Sequence, residues 1–221
     1  MTNSPDHAHH GEHAHEHGLD HPDVERDRFG NPADLAAYLA RLEGPERTEW
    51  QKPDEVVRSL GLRPGQSVCE IGAGPGYFSL RLARAVGAEG TVFAVEVEPR
   101  ILAVLRERLS QAGTRNVVPV LGFPDDPLVP PRSCDLVLAI NAFHHIPDGT
   151  AFLRRLARTL KPGGRIVNID FHKHELPVGP PSDHKMARED FLQHARAAGL
   201  DLAEELSLLP HQYFLVLRPR G

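Results

Sequence analysis

Three glycines at alternate positions, Gly72, Gly74 and Gly76, follow the apolar run Ser67 to Ile71, and an acid, Glu70, stands two residues ahead of the first of them. Glycine allows positive φ and lets a backbone approach a ligand that any Cβ would hold off. The stretch therefore has the form of a cradle between a strand buried on both faces and a helix that begins at Tyr77 and aims its amide donors at a ligand. A dinucleotide-binding loop spaces its glycines G-x-G-x-x-G; here the third comes one residue early and Tyr77 stands in its place. Glu70 departs from that pattern too, because a carboxylate repels a pyrophosphate but attracts an ammonium or a sulfonium. A second acid, Glu96, ends the run T-V-F-A-V-E, 24 residues after Gly72. At the carboxyl end of the second strand of a doubly wound sheet it can accept hydrogen bonds from both hydroxyls of a ribose. Glu98 takes that place if the strand register slips by two. His144 and His145 follow a third apolar run, Asp135 to Ile140, and imidazole is a base that works near neutral pH.

Alternating elements must hold these residues. Helical spacing of apolar residues predicts helices over 34–42, 53–60, 99–113, 148–160 and 186–198, besides the one after Tyr77. Short β-branched runs predict strands over 67–71, 91–97, 117–121, 135–140 and 166–171, and a closing pair over 200–208 and 212–217. Repeated strand–helix units imply a parallel sheet with helices on both faces.

The segment Glu70 to Gly76 resembles motif I of the class I S-adenosylmethionine-dependent methyltransferases, and the resemblance extends through Glu96, the loop Asn141-Ala142-Phe143-His144-His145-Ile146-Pro147 and the turn Leu160-Lys161-Pro162-Gly163-Gly164. Within that family the chain looks like the small bacterial type 11 enzymes. The resemblance implies a Rossmann-like α/β fold, seven strands in the order 3-2-1-4-5-7-6 with strand 7 antiparallel, and S-adenosylmethionine as cofactor. It assigns Glu70, Gly72, Ala73, Gly74, Gly76, Tyr77, Glu96 and Asn141 to the cofactor. Where the family often has Gly-Asp after the third strand, this chain has Gly122-Phe123. The adenine contact is thereby left to Phe123, covering the base, or to Asp125, reaching its amino group. The acceptor loop is not the N-P-P-Y or D-P-P-Y tetrapeptide of many nucleic-acid and protein amino-group methyltransferases, so His144 and His145 stand where an acceptor sits. Trp50 and Gln51, in the lead-in E-R-T-E-W-Q-K-P, are expected in a lid, and His184 in a Pro-rich flap after the fifth strand.

Composition narrows the partners. The 221 residues are 40% hydrophobic and 25% charged, enough for one core with appendages. Residues 1–33 hold seven acids and two arginines, while the remainder balances 23 acids against 23 bases. No basic stripe is present to neutralise phosphates, which argues against nucleic-acid substrates. No apolar run approaches the ~20 residues that cross a bilayer, and Met1 to Arg28 has no apolar secretory segment, which gives an expectation of a cytoplasmic location without membrane attachment. The chain divides into a tail, 1–33, and a methyltransferase domain, 34–221. Seven of the 14 histidines lie between His7 and His21. So polar a stretch is expected to be disordered and able to capture Zn, Ni or Cu weakly, and no metal centre is expected in the domain. Cys69 and Cys134 read as buried small hydrophobes, which speaks against a metalloid acceptor that needs several thiols.

Three functions compete at this point. One is methyl transfer to a small molecule by in-line displacement. The second is transfer to a protein or peptide, and the third is a non-catalytic module that binds S-adenosylmethionine or metal.

Overall fold

The computed structural model describes residues 34–42 and 44–221. The expected tail and its histidines lie outside the described residues. Seven strands form one sheet in the order β3-β2-β1-β4-β5-β7-β6: β1 (Ser67–Ile71), β2 (Thr91–Glu96), β3 (Val117–Leu121), β4 (Cys134–Ile140), β5 (Leu160–Phe171), β6 (Leu200–Glu205) and β7 (Gln212–Pro219). The first five run parallel, and β7 is antiparallel to both neighbours. The helices are α1 (Leu35–Leu42), α2 (Arg47–Gln51), α3 (Pro53–Ser59), α4 (Ser79–Val86), α5 (Pro99–Gln111), α6 (Gly149–Thr159) and α7 (Arg188–Ala197).

The two-residue period of the strands divides the core into two layers. Along β4, Leu136, Leu138 and Ile140 face one layer with Val56, Leu82, Leu102 and Leu105 of α3, α4 and α5. Val137 and Ala139 face the other with Phe152, Leu156 and Phe191 of α6 and α7. Cys69 and Cys134 are both buried free thiols of that second layer. No described helix is long and apolar enough to cross a membrane.

Side chains set the helix starts. Asp34 accepts from the Ala37 amide, Glu98 from Arg100 and Asp148 from Ala151, each at 2.9–3.0 Å. Glu98 is thus the cap of α5, and Glu96 is the acid that ends β2. Four boundaries differ from the sequence reading. Helix α4 starts at Ser79, two residues late, because Gly74 and Gly76 hold φ of +56° and +95° and the turn continues through Phe78. The lead-in forms a helix of its own, α2, separated from α3 by left-handed Lys52. Strand β6 stops at Glu205, and beyond it Leu206, Leu208 and Leu209 pack against the first core layer. Strand β5 begins early, at Leu160, which pairs with Cys134 across an irregularity in the β4 register.

Gly76 is required by packing as well as by its positive φ, since a Cβ there would lie 2.6 Å from Leu105 Cδ1. Gly76→Ala is expected to lower stability by about 1–3 kcal/mol, read as a fall in melting temperature without ligand.

Candidate active site

The glycine loop leaves the carboxyl end of β1 and is bonded to its neighbour strand. The Ala73 amide donates to the Val95 carbonyl at 2.9 Å, and the Gly74 amide to Glu96 Oε2 at 2.9 Å. Glu96 Oε1 accepts from the Val97 and Glu98 amides at 2.8 and 3.0 Å. A carboxylate offers about four acceptor directions. Three are taken by backbone, so Glu96 has room for one ribose hydroxyl rather than two. Burial pushes its acidity down, and the three amides oppose that.

The three glycines are not equivalent. Gly72 and Gly76 are crowded, with an added Cβ 2.7 Å from Ala142 Cβ in the first case. In front of Gly74 the nearest atom, Leu42 Cδ1, is 3.9 Å from where a Cβ would be. The open space that a ligand needs therefore lies at Gly74, beneath the end of α1.

Glu70 is buried under this loop, where Oε2 accepts from the Ser79 hydroxyl at 2.5 Å. Burial raises its pKa to about 8, against the pull of Ser79 and of Arg47. Arg47, which sequence reasoning missed, comes from α2. Its guanidinium donates to the Leu42 carbonyl and to Gln51 Oε1 and lies 4.1 Å from the centroid of the Tyr77 ring. Desolvation lowers its pKa to about 10. Tyr77 also receives Arg81 at 4.5 Å and places its hydroxyl 3.3 Å from Thr48 Oγ1. A cation and a near-neutral acid thus flank the loop, a pairing suited to the carboxylate and ammonium of an amino-acid group.

The loop after β4 carries the second set. Asn141, at φ +53°, accepts through Oδ1 from Gln212 Nε2, and Gln212 in turn accepts from the fully buried Gln51 at 3.5 Å. Trp50 packs on Phe171 with ring centroids 5.4 Å apart. The 3₁₀ turn Phe143–His145 brings His144 Nδ1 to 2.9 Å from both carboxylate oxygens of Asp170, and the His145 ring lies 4.0 Å from that of His144. Asp170 is fully buried at the end of β5. It could have been found by the reasoning that found Glu96, as the lone acid ending an apolar strand, I-V-N-I-D. His184 joins His144 in lining a cavity of about 570 Å³.

Two expected residues go elsewhere. Phe123 is 59% exposed on a tight turn closed by its amide to the Asp126 carbonyl at 2.7 Å. Asp125 faces Arg155 of α6 at 3.4 Å, and Asp126 holds the same guanidinium at 2.7 Å. Asp125 is largely exposed, and that guanidinium is its charged neighbour. Among the described residues no group of three or more His, Cys, Asp or Glu is arranged to hold a metal.

Residues 68–164 match the family described as a methyltransferase domain. Over that segment, somewhat under half of its length, the chain is similar to methyltransferases. It is 29% identical over 129 residues to a demethylmenaquinone methyltransferase of Listeria monocytogenes, covering 58% of this chain and 54% of the relative. Against the aklanonic acid methyltransferase of a Streptomyces species it is 30% identical over 132 residues, 59% and 60% of the two chains. The chain thus spans little more than half the length of these curated relatives. Among solved structures, a SAM dependent methyltransferase of Aquifex aeolicus superposes with a TM-score of 0.78 at 24% identity, over 82% of this chain and 96% of the other. The [4+2]-cyclase SpnF superposes at 0.64 with 17% identity, over 76% and 82%. These two likenesses show the fold.

The state of Glu70 gives a test of the candidate site. A carboxyl with a pKa of about 8 is mostly protonated at neutral pH, and contact with a ligand ammonium requires it to ionise. Affinity for S-adenosylhomocysteine is expected to rise with pH, approaching tenfold per unit between about pH 6 and 8, and to level off above 8. Calorimetry across that range should give a flat profile for Glu70→Gln.

Proposed function

We propose that the protein transfers a methyl group from S-adenosylmethionine to a small-molecule acceptor. The observation that carries this reading is the open face at Gly74, with Glu96 bonded to it from β2 and Arg47 and Glu70 beside it. The glycine loop would hold the amino-acid end and Glu96 a ribose hydroxyl. Bound S-adenosylmethionine supplies a methyl carbon already activated by its sulfonium, so binding, orientation and exclusion of water fall to the chain. Lid helices α1 and α2 exclude water, and the loop after β4 presents the acceptor. A cavity of about 570 Å³ is of a size for a small molecule. The acceptors named for the two curated relatives, demethylmenaquinone and aklanonic acid, are small molecules as well. The balanced charge of residues 34–221 supports the same choice over a nucleic acid.

Gly74→Val places a side chain where nothing but the ligand would be. It is expected to abolish calorimetric binding of S-adenosylhomocysteine while costing about 1–2 kcal/mol of stability for its left-handed backbone. Glu96→Gln is expected to weaken the same ligand about tenfold and also to lower the melting temperature, because the charged acceptor of three backbone amides is lost. Unchanged affinity in both variants would overturn the assignment. With S-adenosylmethionine radiolabelled in its methyl group and a cell lysate as acceptor source, label is expected in low-mass material; label in protein would favour a peptide acceptor.

A further inference from the structure

The cavity that His144 and His184 share lies between the 3₁₀ turn, the start of α6, α7 and the flap after β5, and Thr150, Lys173, Asp190 and His194 also line it. Two nitrogens of these imidazoles, His144 Nε2 and His184 Nδ1, are buried and have no hydrogen-bond partner. The His144 side chain is 4% exposed. Buried polar atoms are nearly always bonded, so an unpaired pair in one cavity wall marks a place where another molecule completes the bonds.

The chemistry of that molecule follows from the tautomer. His144 Nδ1 faces both oxygens of the Asp170 carboxylate at 2.9 Å and must donate its proton to them. Nε2 is left with a lone pair, which accepts a hydrogen and can remove it. An imidazole can deprotonate a hydroxyl as acidic as a phenol or an enol, and an aliphatic alcohol is too weak an acid for it. The wall holds Lys173 and Lys185 against Asp183 and Asp190. No surplus of negative charge exists there to draw an ammonium up to a sulfonium. A wall this polar suits a ring with further polar substituents.

We infer that this cavity takes a small polar phenol or enol and that the methyl group goes to its hydroxyl oxygen, with His144 as the base, Asp170 as its positioning residue and His184 as a second hydrogen-bond partner. The inference rests on the function proposed above. The acceptor oxygen attacks the methyl carbon and forms the C–O bond. The C–S bond breaks with both its electrons going to sulfur, which leaves S-adenosylhomocysteine neutral at sulfur. The hydroxyl proton passes to His144 Nε2, and Asp170 balances the imidazolium until the proton leaves to solvent.

The full chain carrying ¹⁵N-labelled histidine, saturated with S-adenosylhomocysteine, is titrated with millimolar catechol as the probe, and with cyclohexanol and aniline in parallel. Ring signals of His144 and His184 are expected to move and saturate with catechol alone. With S-adenosylmethionine in place of the product, catechol is expected to be converted to 2-methoxyphenol, at a rate that falls about a hundredfold or more in His144→Asn. Asp170→Asn should move the ring proton of His144 from Nδ1 to Nε2 in the ¹⁵N spectrum, a change that a merely structural carboxylate would not produce. His184→Ala, on the flap, checks the site without touching the turn: catechol binding is expected to weaken about tenfold at unchanged affinity for S-adenosylhomocysteine. If S-adenosylhomocysteine binds normally but catechol leaves both rings unmoved, or if aniline moves them instead, the acceptor class is wrong and the methyltransferase reading stands. If S-adenosylhomocysteine does not bind, the earlier reading fails and takes this one with it.

Discussion

The carboxylate of Glu96 is the point on which the cofactor end of the molecule depends. Through one side chain the glycine loop, the end of β2 and the turn into α5 are joined, by bonds to the amides of Gly74, Val97 and Glu98. Hydrogen bonds to a charged group contribute about 1.5–3 kcal/mol each, which offsets part of the cost of keeping an acid buried, although burial still raises the Glu96 pKa. The sheet makes this geometry available, because β1 and β2 lie side by side in parallel with Ile71 opposite Val95. Glu96 is the next residue, level with the start of the loop. The cradle is therefore set before any ligand arrives, and its left-handed glycines are held by bonds to β2 rather than by the ligand.

Three acids are buried at the carboxyl ends of β1, β2 and β5, and the way each is compensated separates their chemistry. Glu96 has backbone amides. Glu70 has one hydroxyl, from Ser79, and a guanidinium it does not bond directly, so desolvation dominates and its proton is retained to about pH 8. Asp170 has the His144 ring and the Phe171 amide, the latter at 2.9 Å. An acid bonded to amides stays fixed, an acid bonded to a hydroxyl answers to a passing cation, and an acid bonded to an imidazole sets a tautomer. Parallel β-sheets gather such residues at one end because every strand's carboxyl terminus opens on the same side.

The sheet order was legible because motif I, Glu96 and the Lys161-Pro162-Gly163-Gly164 turn fix which strands are which, and apolar runs of five to seven residues between glycines and prolines leave few other readings. Glu96 could be placed at the end of β2 for the same reason, and His144 in the loop after β4. Asp170, Arg47 and Gln212 were not found. Arg47 and Gln212 act through a ring or a partner far along the chain that no local spacing announces, whereas Asp170 had a local signal as the lone acid ending an apolar strand. Asp125 has a partner that the sequence does not announce either. Its spacing from β3 was suitable, but Arg155, on an element 30 residues further along the chain, offers it a charge that spacing alone cannot reveal.

Helix α2 and the loop after β4 are one polar unit, and that follows from burial. Gln51 of α2 and Gln212 of β7 are both essentially inaccessible, and with Asn141 they form a chain of amides from α2 to the end of β4. Moving α2 away would strip the buried Gln212 of a partner, which links the position of α2 to the loop after β4. The same chain fixes the rotation of the Asn141 carboxamide. With Oδ1 committed to Gln212, the atom left to meet a ligand is the donor Nδ2, held by a residue that already occupies a left-handed backbone. A donor fixed in that way favours an oxygen atom opposite it, whether on the cofactor's amino-acid end or on the acceptor, and it does so only while α2 is in place.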